Sequence, residues 1–271
     1  MELVNGSYTI QNVSVLDICT QFGTPVYVYD AEKIVSQLKN LKMAFSDADL
    51  KIKYAAKALT NINILKLLRK HGAGIDVVSI QEAQLALKAG YTPAEIMYTP
   101  NCAEYEELVE GAKQGFMLNI DNLPHLKKFG EQFGNKYPIC LRLNPHIMAG
   151  GNLKISTGHS NSKFGISVYQ IPQIMEIVDQ HKINVTGLHI HTGSEISEAD
   201  VFIKMAEIFF SVAREFKDLK FIDFGSGFKV AYQEGDTVTN VYDLGLKLTK
   251  AFQEFCQQYG RKLELWIEPG K

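Results

Sequence analysis

The strongest constraint in this sequence is a count. Eight short apolar runs bounded by turn chemistry alternate with stretches of helical spacing. The runs are "KIKYAAKA" (51–58), "GIDVVS" (74–79), "IMYTPN" (96–101), "FMLNIDN" (116–122), "PICLRLNP" (138–145), "VTGLHIHTG" (185–193), "FIDFGSG" (221–227) and "LELWIEPG" (263–270). Between them lie amphipathic segments such as "SIQEAQLALKAG", which opens on a serine cap and closes on a glycine stop. Many of the strands are apolar almost throughout, as strands buried on both faces are, so the order predicts parallel pairing with right-handed crossovers. A closed (β/α)8 barrel of the TIM type is the simplest α/β architecture for it, and a doubly wound open sheet is the competitor. "PVYVYD" (25–30) is expected as a further strand at the N-terminus.

The count leaves one place empty. Eight strands have seven following helices, because the eighth strand ends next to Lys271. An uncovered strand would put apolar surface in water. The sequence therefore predicts a truncated barrel, or another segment over that strand, and the first of these is the expectation.

In a barrel, chemistry collects where strands end. Those ends carry Lys57, Asp76 with Ser79, Asn101, Asp121, Arg142 with Asn144, His191 with Ser194, the turn Gly225-Ser226-Gly227, and Glu268. Lys57 and Glu268 fall on strands one and eight, which are neighbours once a barrel closes. A lysine in a partly dry cavity becomes an amine nucleophile for carbonyls. The "FGSGF" turn offers free backbone N–H groups to a phosphate, although a lone GxG turn is common. His189 reads as a hydrogen-bonded core histidine, and a salt bridge to Arg142 is the plain structural reading of Glu268. Amine, phosphate turn, imidazole and carboxylate together describe a site for pyridoxal 5'-phosphate (PLP), with the carboxylate keeping the pyridine nitrogen protonated.

Composition excludes other classes. The formal net charge of -2 carries no basic excess for nucleic acid, and no apolar run is long enough to span a membrane. The four cysteines, Cys19, Cys102, Cys140 and Cys256, are far apart, so neither a disulfide framework nor a zinc site is expected, and a reducing cytoplasm fits. His159, His189 and His191 lack a carboxylate or cysteine at ligand spacing, so no metal site is expected either.

The motifs, taken in order, resemble the PLP-dependent decarboxylases with an alanine-racemase-like barrel. They are "TPVYVYD", "YAAKA", "GAGIDVVSIQEAQLALKAG", "LRLNP", "ISTGHSNSKFGI", "GLHIHTGSEI", "DFGSGF" and "EPGK". "ISTG…SKFGI" after "RLNP" is similar to the diaminopimelate branch. The resemblance implies that Lys57 forms the Schiff base with PLP, His191 stacks on the ring and Glu268 partners the pyridine nitrogen. It places Ser194, Gly225, Ser226 and Gly227 around the phosphate, Gly270 and Lys271 at the phosphate or substrate side, and Asp76 and Arg142 along the pocket. It implies an amino-acid substrate, decarboxylation of meso-diaminopimelate to L-lysine, and a homodimer. Ornithine, arginine or carboxynorspermidine as substrate, or a non-catalytic single-barrel PLP-binding protein, are the alternatives. It also implies two parts, an N-terminal segment (1–30) whose strand joins a C-terminal β domain absent from this chain, and the barrel (31–271). Three departures stand out. Leu59 replaces an asparagine for which nearby Asn61 is expected to compensate, Ser226 replaces a glycine, and Lys271 replaces an arginine.

Overall fold

The computed structural model describes residues 1–147, 158, 162–191 and 193–271. The chain divides into two compact units, Met1–Lys39 and Asn40–Lys271.

The first unit opens with three short antiparallel strands, β1 (Glu2–Val4), β2 (Ser7–Ile10) and β3 (Val13–Ser14). Asn5-Gly6 and Gln11-Asn12 make the turns between them, all four at positive φ (49° and 76°, then 51° and 63°), as two-residue hairpin loops require. Helix α1 (Val15–Phe22) follows, with Ser14 Oγ accepting from Asp17 N at its start. The strand expected at 25–30 does not form. Its alternating pattern finds no ladder partner, and Tyr27 is 89% exposed. A strand is defined by its pairing, so an apolar alternation alone does not produce one. Helix α2 (Ala31–Ala44) leads into the second unit.

That unit is a closed parallel barrel. Its strands are β4 (Leu50–Ala55), β5 (Gly74–Val77), β6 (Ile96–Tyr98), β7 (Met117–Ile120), β8 (Pro138–Asn144), β10 (Asn184–Ile190), β11 (Phe221–Asp223) and β12 (Glu264–Ile267), with a short β9 (Ile166–Ser167) beside β8. Each pairs with the next, and β12 pairs with β4 to close the ring. All eight runs read from the sequence are strands of this barrel, and the open sheet is excluded. The helices between them are α3 (Ile62–Lys70), α4 (Ile80–Lys88), α5 (Tyr105–Gln114), α6 (Leu123–Phe133), α7 (Ile171–His181), α8 (Ala199–Ala213) and α9 (Val241–Tyr259). Asn61, Ser79, Asn122 and Asn240 cap four of them with side-chain oxygens. Among the described residues no helix is long and apolar enough to cross a membrane.

The expectation of an uncovered last strand is not met. Leu265 and Ile267, on the outer face of β12, are 0% and 1% exposed. The end of α2 lies against α9, where a Cβ on Gly245 would come within 2.0 Å of Ala44 O, and Phe45 is fully buried. The segment before the first strand thus sits where the sequence count saw a gap.

Inside the barrel, one face of several strands grades from apolar to polar toward its C-terminal end. The series run Met97–Thr99, Cys140–Arg142–Asn144, Phe221–Asp223 and Trp266–Glu268. Met97, Cys140, Phe221 and Trp266 form a buried floor, with the Phe221 and Trp266 rings stacked 3.7 Å apart. Lys53 joins it from β4. Its Nζ lies 4.3 Å over the Trp266 ring and donates to Glu95 O at 3.2 Å. Above the floor lie the buried polar residues Asp76, Asn119, Arg142, His189, Asp223 and Glu268.

Candidate active site

At the polar end of the barrel a cavity of about 150 Å³ is lined by Lys57, His191, Ser194, Ser226, Gly227, Glu268, Gly270 and Lys271, with Ala55, Ala58, Phe228 and Pro269. Eight residues singled out from the sequence therefore share one space. Gly225 backs it through its neighbours, whereas Asp76 and Arg142 lie buried in the barrel interior instead of on the cavity wall.

Lys57 reaches this cavity from a turn, not from a strand. β4 stops at Ala55, and a 3-10 turn, Ala56–Ala58, carries the lysine out of the sheet. The turn is fixed against the last strand's loop, where Ala55 N donates to Pro269 O at 3.1 Å. Asn61 does not replace the asparagine missing at Leu59. Its side chain accepts from Asn63 N and is committed to capping α3.

The turn after β11 is held from three sides. Gly225 O accepts from Glu268 N at 2.7 Å, and Gly227 O accepts from Ile196 N at 3.0 Å. Ser226 N donates to His191 Nδ1 at 3.4 Å, and Ser226 Oγ donates to Glu268 O at 2.8 Å. Gly225 and Gly227 have φ of 58° and 115°, while Ser226 is not among the residues at positive φ. The serine is therefore tolerated between them, and it adds a tether that glycine could not. Gly227 resists substitution on two counts: its φ is one that side chains rarely adopt, and a Cβ would lie 2.2 Å from Gly193 O.

Glu268 is 4% exposed, and its Oε2 accepts from His189 Nε2 at 3.2 Å. The salt bridge to Arg142 is not formed; Arg142 instead lies over the Phe164 ring at 4.6 Å. Burial opposes charge on Glu268, yet the hydrogen bond from His189 and the nearby Lys57 hold its pKa below the ordinary carboxylate value. Burial also pushes His189 below its ordinary value, toward the neutral ring. With His189 neutral, the hydrogen bond and the Lys57 ammonium are what keep the carboxylate ionised. His191 is lowered to about 3, by burial first and then by Lys57 and Arg142, so this ring is neutral too. Asp76 and Asp223 go the other way: burial, then the Glu268 charge, raises both well above the usual carboxylate range.

Sequence spacing gave His189 no carboxylate neighbour, but the fold supplies two. Ligand atoms of His189, Asp223 and Glu268 lie within 4.8 Å of one another. Asp223 was legible in principle, since it sits two residues before Gly225 on the same strand face. His159 and most of "ISTGHSNSKFGI" lie outside the described residues. Lys271 forms an ion pair with Glu195, a partner the sequence did not suggest.

Residues 31–271 match the family of the pyridoxal-dependent decarboxylases over their pyridoxal-binding domain. The chain belongs to that family. It is 29% identical over 274 residues to the diaminopimelate decarboxylase of Methanothermobacter thermautotrophicus, covering 98% of this chain and 64% of the relative. The crystal structure of diaminopimelate decarboxylase from Helicobacter pylori complexed with L-lysine is similar at 31% identity and a TM-score of 0.83, over 94% of this chain and 65% of that one. The enzyme from M. jannaschii in complex with L-lysine matches at 25% identity and a TM-score of 0.86, over 99% and 66%. The chain thus spans a little under two thirds of the length of these pyridoxal-dependent relatives.

Proposed function

We propose that this chain is the cofactor-binding barrel of a PLP-dependent decarboxylase that converts meso-diaminopimelate to L-lysine and CO2. The substrate rests on the similarity to diaminopimelate decarboxylases and on the order of the motifs. One observation supports the cofactor above the others: Glu268 Oε1 is buried, has no hydrogen-bond partner, and belongs to a residue lining the same cavity as the Lys57 amine. A bare buried carboxylate oxygen is costly unless a ligand completes it. A protonated pyridine nitrogen is a donor of the right kind, and Ser194, Ser226 and Gly227 line the same cavity with polar groups for a phosphate, so the residues present fit PLP.

In this reading Lys57 holds the cofactor's aldehyde carbon, and His191 flanks the ring. Glu268 accepts from the ring nitrogen, and Ser194 with the Gly225–Ser226–Gly227 turn takes the phosphate. Gly270 and Lys271 border the phosphate or substrate side, while Asp76 and Arg142 set the charge of the interior behind them. When bound, PLP takes up the electron pair left on the α-carbon as CO2 departs. The ionised Glu268 keeps the ring nitrogen protonated, which strengthens that withdrawal. The neutral His191 presents a flat face without a competing positive charge. A cytoplasmic location and a homodimer belong to the same proposal.

Borohydride reduction of the PLP-loaded protein followed by peptide mapping should place the label on Lys57, and Lys57→Ala should carry none. A label on another lysine removes the assignment. Faster turnover of ornithine or arginine than of meso-diaminopimelate removes the substrate.

A further inference from the structure

Among the described groups of the barrel interior, His189 is one that the proposed chemistry does not use and that meets the Glu268 side chain directly. We propose that His189 is a positioning residue for Glu268, its Nε2–H fixing one carboxylate oxygen so that the other stays bare for a ligand's N–H. The inference rests on the cofactor reading above and adds to it the residue that aims the carboxylate.

The geometry is specific. His189 pairs in register with Arg142 on β8 and with Asp223 on β11, so it stands in the middle of the interior wall. It is 1% exposed, and its Nε2 meets Glu268 Oε2 at 3.2 Å. Glu268 Oε1 and His189 Nδ1 are both buried without partners. A carboxylate acceptor at Nε2 makes that nitrogen the proton-bearing one, which leaves Nδ1 as the unprotonated acceptor. One contact thereby sets both the tautomer and the rotation of the carboxylate. Without it, Glu268 could turn toward other donors in the interior, among them the carboxyl of Asp223, which lies within 4.8 Å of it.

The other charged or titratable groups that face Glu268 support the same arrangement. They are Lys57 after β4, Asp76 on β5, Arg142 on β8, His191 after β10 and Asp223 on β11. Burial keeps His189 and His191 toward the neutral form and Asp76 and Asp223 toward the protonated form. Glu268 is then the carboxylate of the group that ionises most readily, and an uncharged donor can orient it without cancelling its charge. A protonated His189 would neutralise the carboxylate that the ring nitrogen needs.

The test compares wild type, His189→Gln and His189→Leu. A glutamine amide reaches the place of Nε2 and keeps a neutral donor there; leucine removes it. Two readouts separate aiming from packing. The first is the 15N spectrum of the histidine rings in the cofactor-free protein, where His189 should show the neutral Nε2–H tautomer from about pH 6 to 8. The second is the proton on the ring nitrogen of bound 15N-labelled PLP, followed against pH, together with PLP affinity. His189→Gln should stay within about 3-fold of wild type in affinity and keep the proton over the same range. His189→Leu should bind about 10- to 100-fold more weakly, the span of one hydrogen bond to a charged group, and lose the proton about one pH unit or more lower.

An Nδ1–H tautomer, or an imidazolium at neutral pH, overturns the proposal even if His189→Leu fails to fold. A leucine variant that matches wild type in both PLP readouts overturns this inference alone. A wild-type chain that takes up no PLP overturns the cofactor reading and this inference with it. Stoichiometric uptake of zinc by the chelator-treated protein, lost in His189→Gln, would make the trio with Asp223 a metal site and also overturn it.

Discussion

Gly227→Ala should damage the site more than its size suggests. Two costs fall on one methyl group. A φ of 115° is a conformation that side chains rarely adopt, at about 1–3 kcal/mol. The new Cβ would also stand 2.2 Å from Gly193 O, and overpacking a fixed position costs about 1–3 kcal/mol more. The neighbours cannot simply yield: Gly227 O is held by Ile196 N, and Thr239 Oγ1 holds Ile196 O at 2.6 Å. If relaxation absorbs half of the sum, about 2 kcal/mol remains, which is about 30-fold in affinity for a ligand gripped by this turn. The control is Gly235→Ala, where φ is +86° but nothing lies within 4 Å; it should lose about 1 kcal/mol of stability and no affinity. Titration of both variants with PLP, and thermal unfolding without it, separates the two costs. Affinity within about 3-fold of wild type in Gly227→Ala, about 0.7 kcal/mol, would show that the turn does not hold the phosphate. Equal destabilisation by both substitutions would show that the contact with Gly193 costs nothing.

Glu268→Gln should keep PLP bound while kcat falls by more than KM rises, because an amide cannot hold a pyridinium as a carboxylate does; an unchanged kcat makes Glu268 structural. Ser226→Ala removes the tether to Glu268 O and should cost about 0.5–1.5 kcal/mol of stability, measured by urea unfolding, with a loss of zero marking the bond as idle. Asp223 has a raised pKa, from burial and then from Glu268, so the folded chain retains a proton that the unfolded chain releases. The stability it contributes is full below the ordinary value of 3.8 and declines as pH rises through the folded value. Asp223→Asn, which keeps an oxygen for Gly225 N, should therefore raise the unfolding midpoint at about pH 8 by more than at about pH 4; an equal gain at both would rule out a proton held only in the folded state.

The barrel and most of its site were legible because one pattern encodes both. Inward positions two residues apart turn from apolar to polar along the same strand, as in Trp266 then Glu268 or Cys140 then Arg142. What stayed hidden was set by contacts between elements distant in sequence. The end of α2, which precedes the first strand, packs against α9, a contact that counting forward could not find. The plain sequence reading pairs Glu268 with Arg142, but His189 on β10 reaches it, and no local spacing distinguishes the two. The alternation at 51–58 read as one strand because a 3-10 turn that starts at Ala56 leaves no mark in a run of alanines. Residues 25–30 have a strand's pattern without a strand's partner.

The stacked Phe221 and Trp266 rings, with Lys53 over Trp266, floor the barrel below the candidate site. Nothing that enters above them can leave through the axis below. Under the proposed function, spent and fresh molecules then share the polar end of the barrel, and one must leave before the next binds. Product and substrate compete for the same empty state, so added product should raise KM in proportion to its concentration and leave kcat untouched.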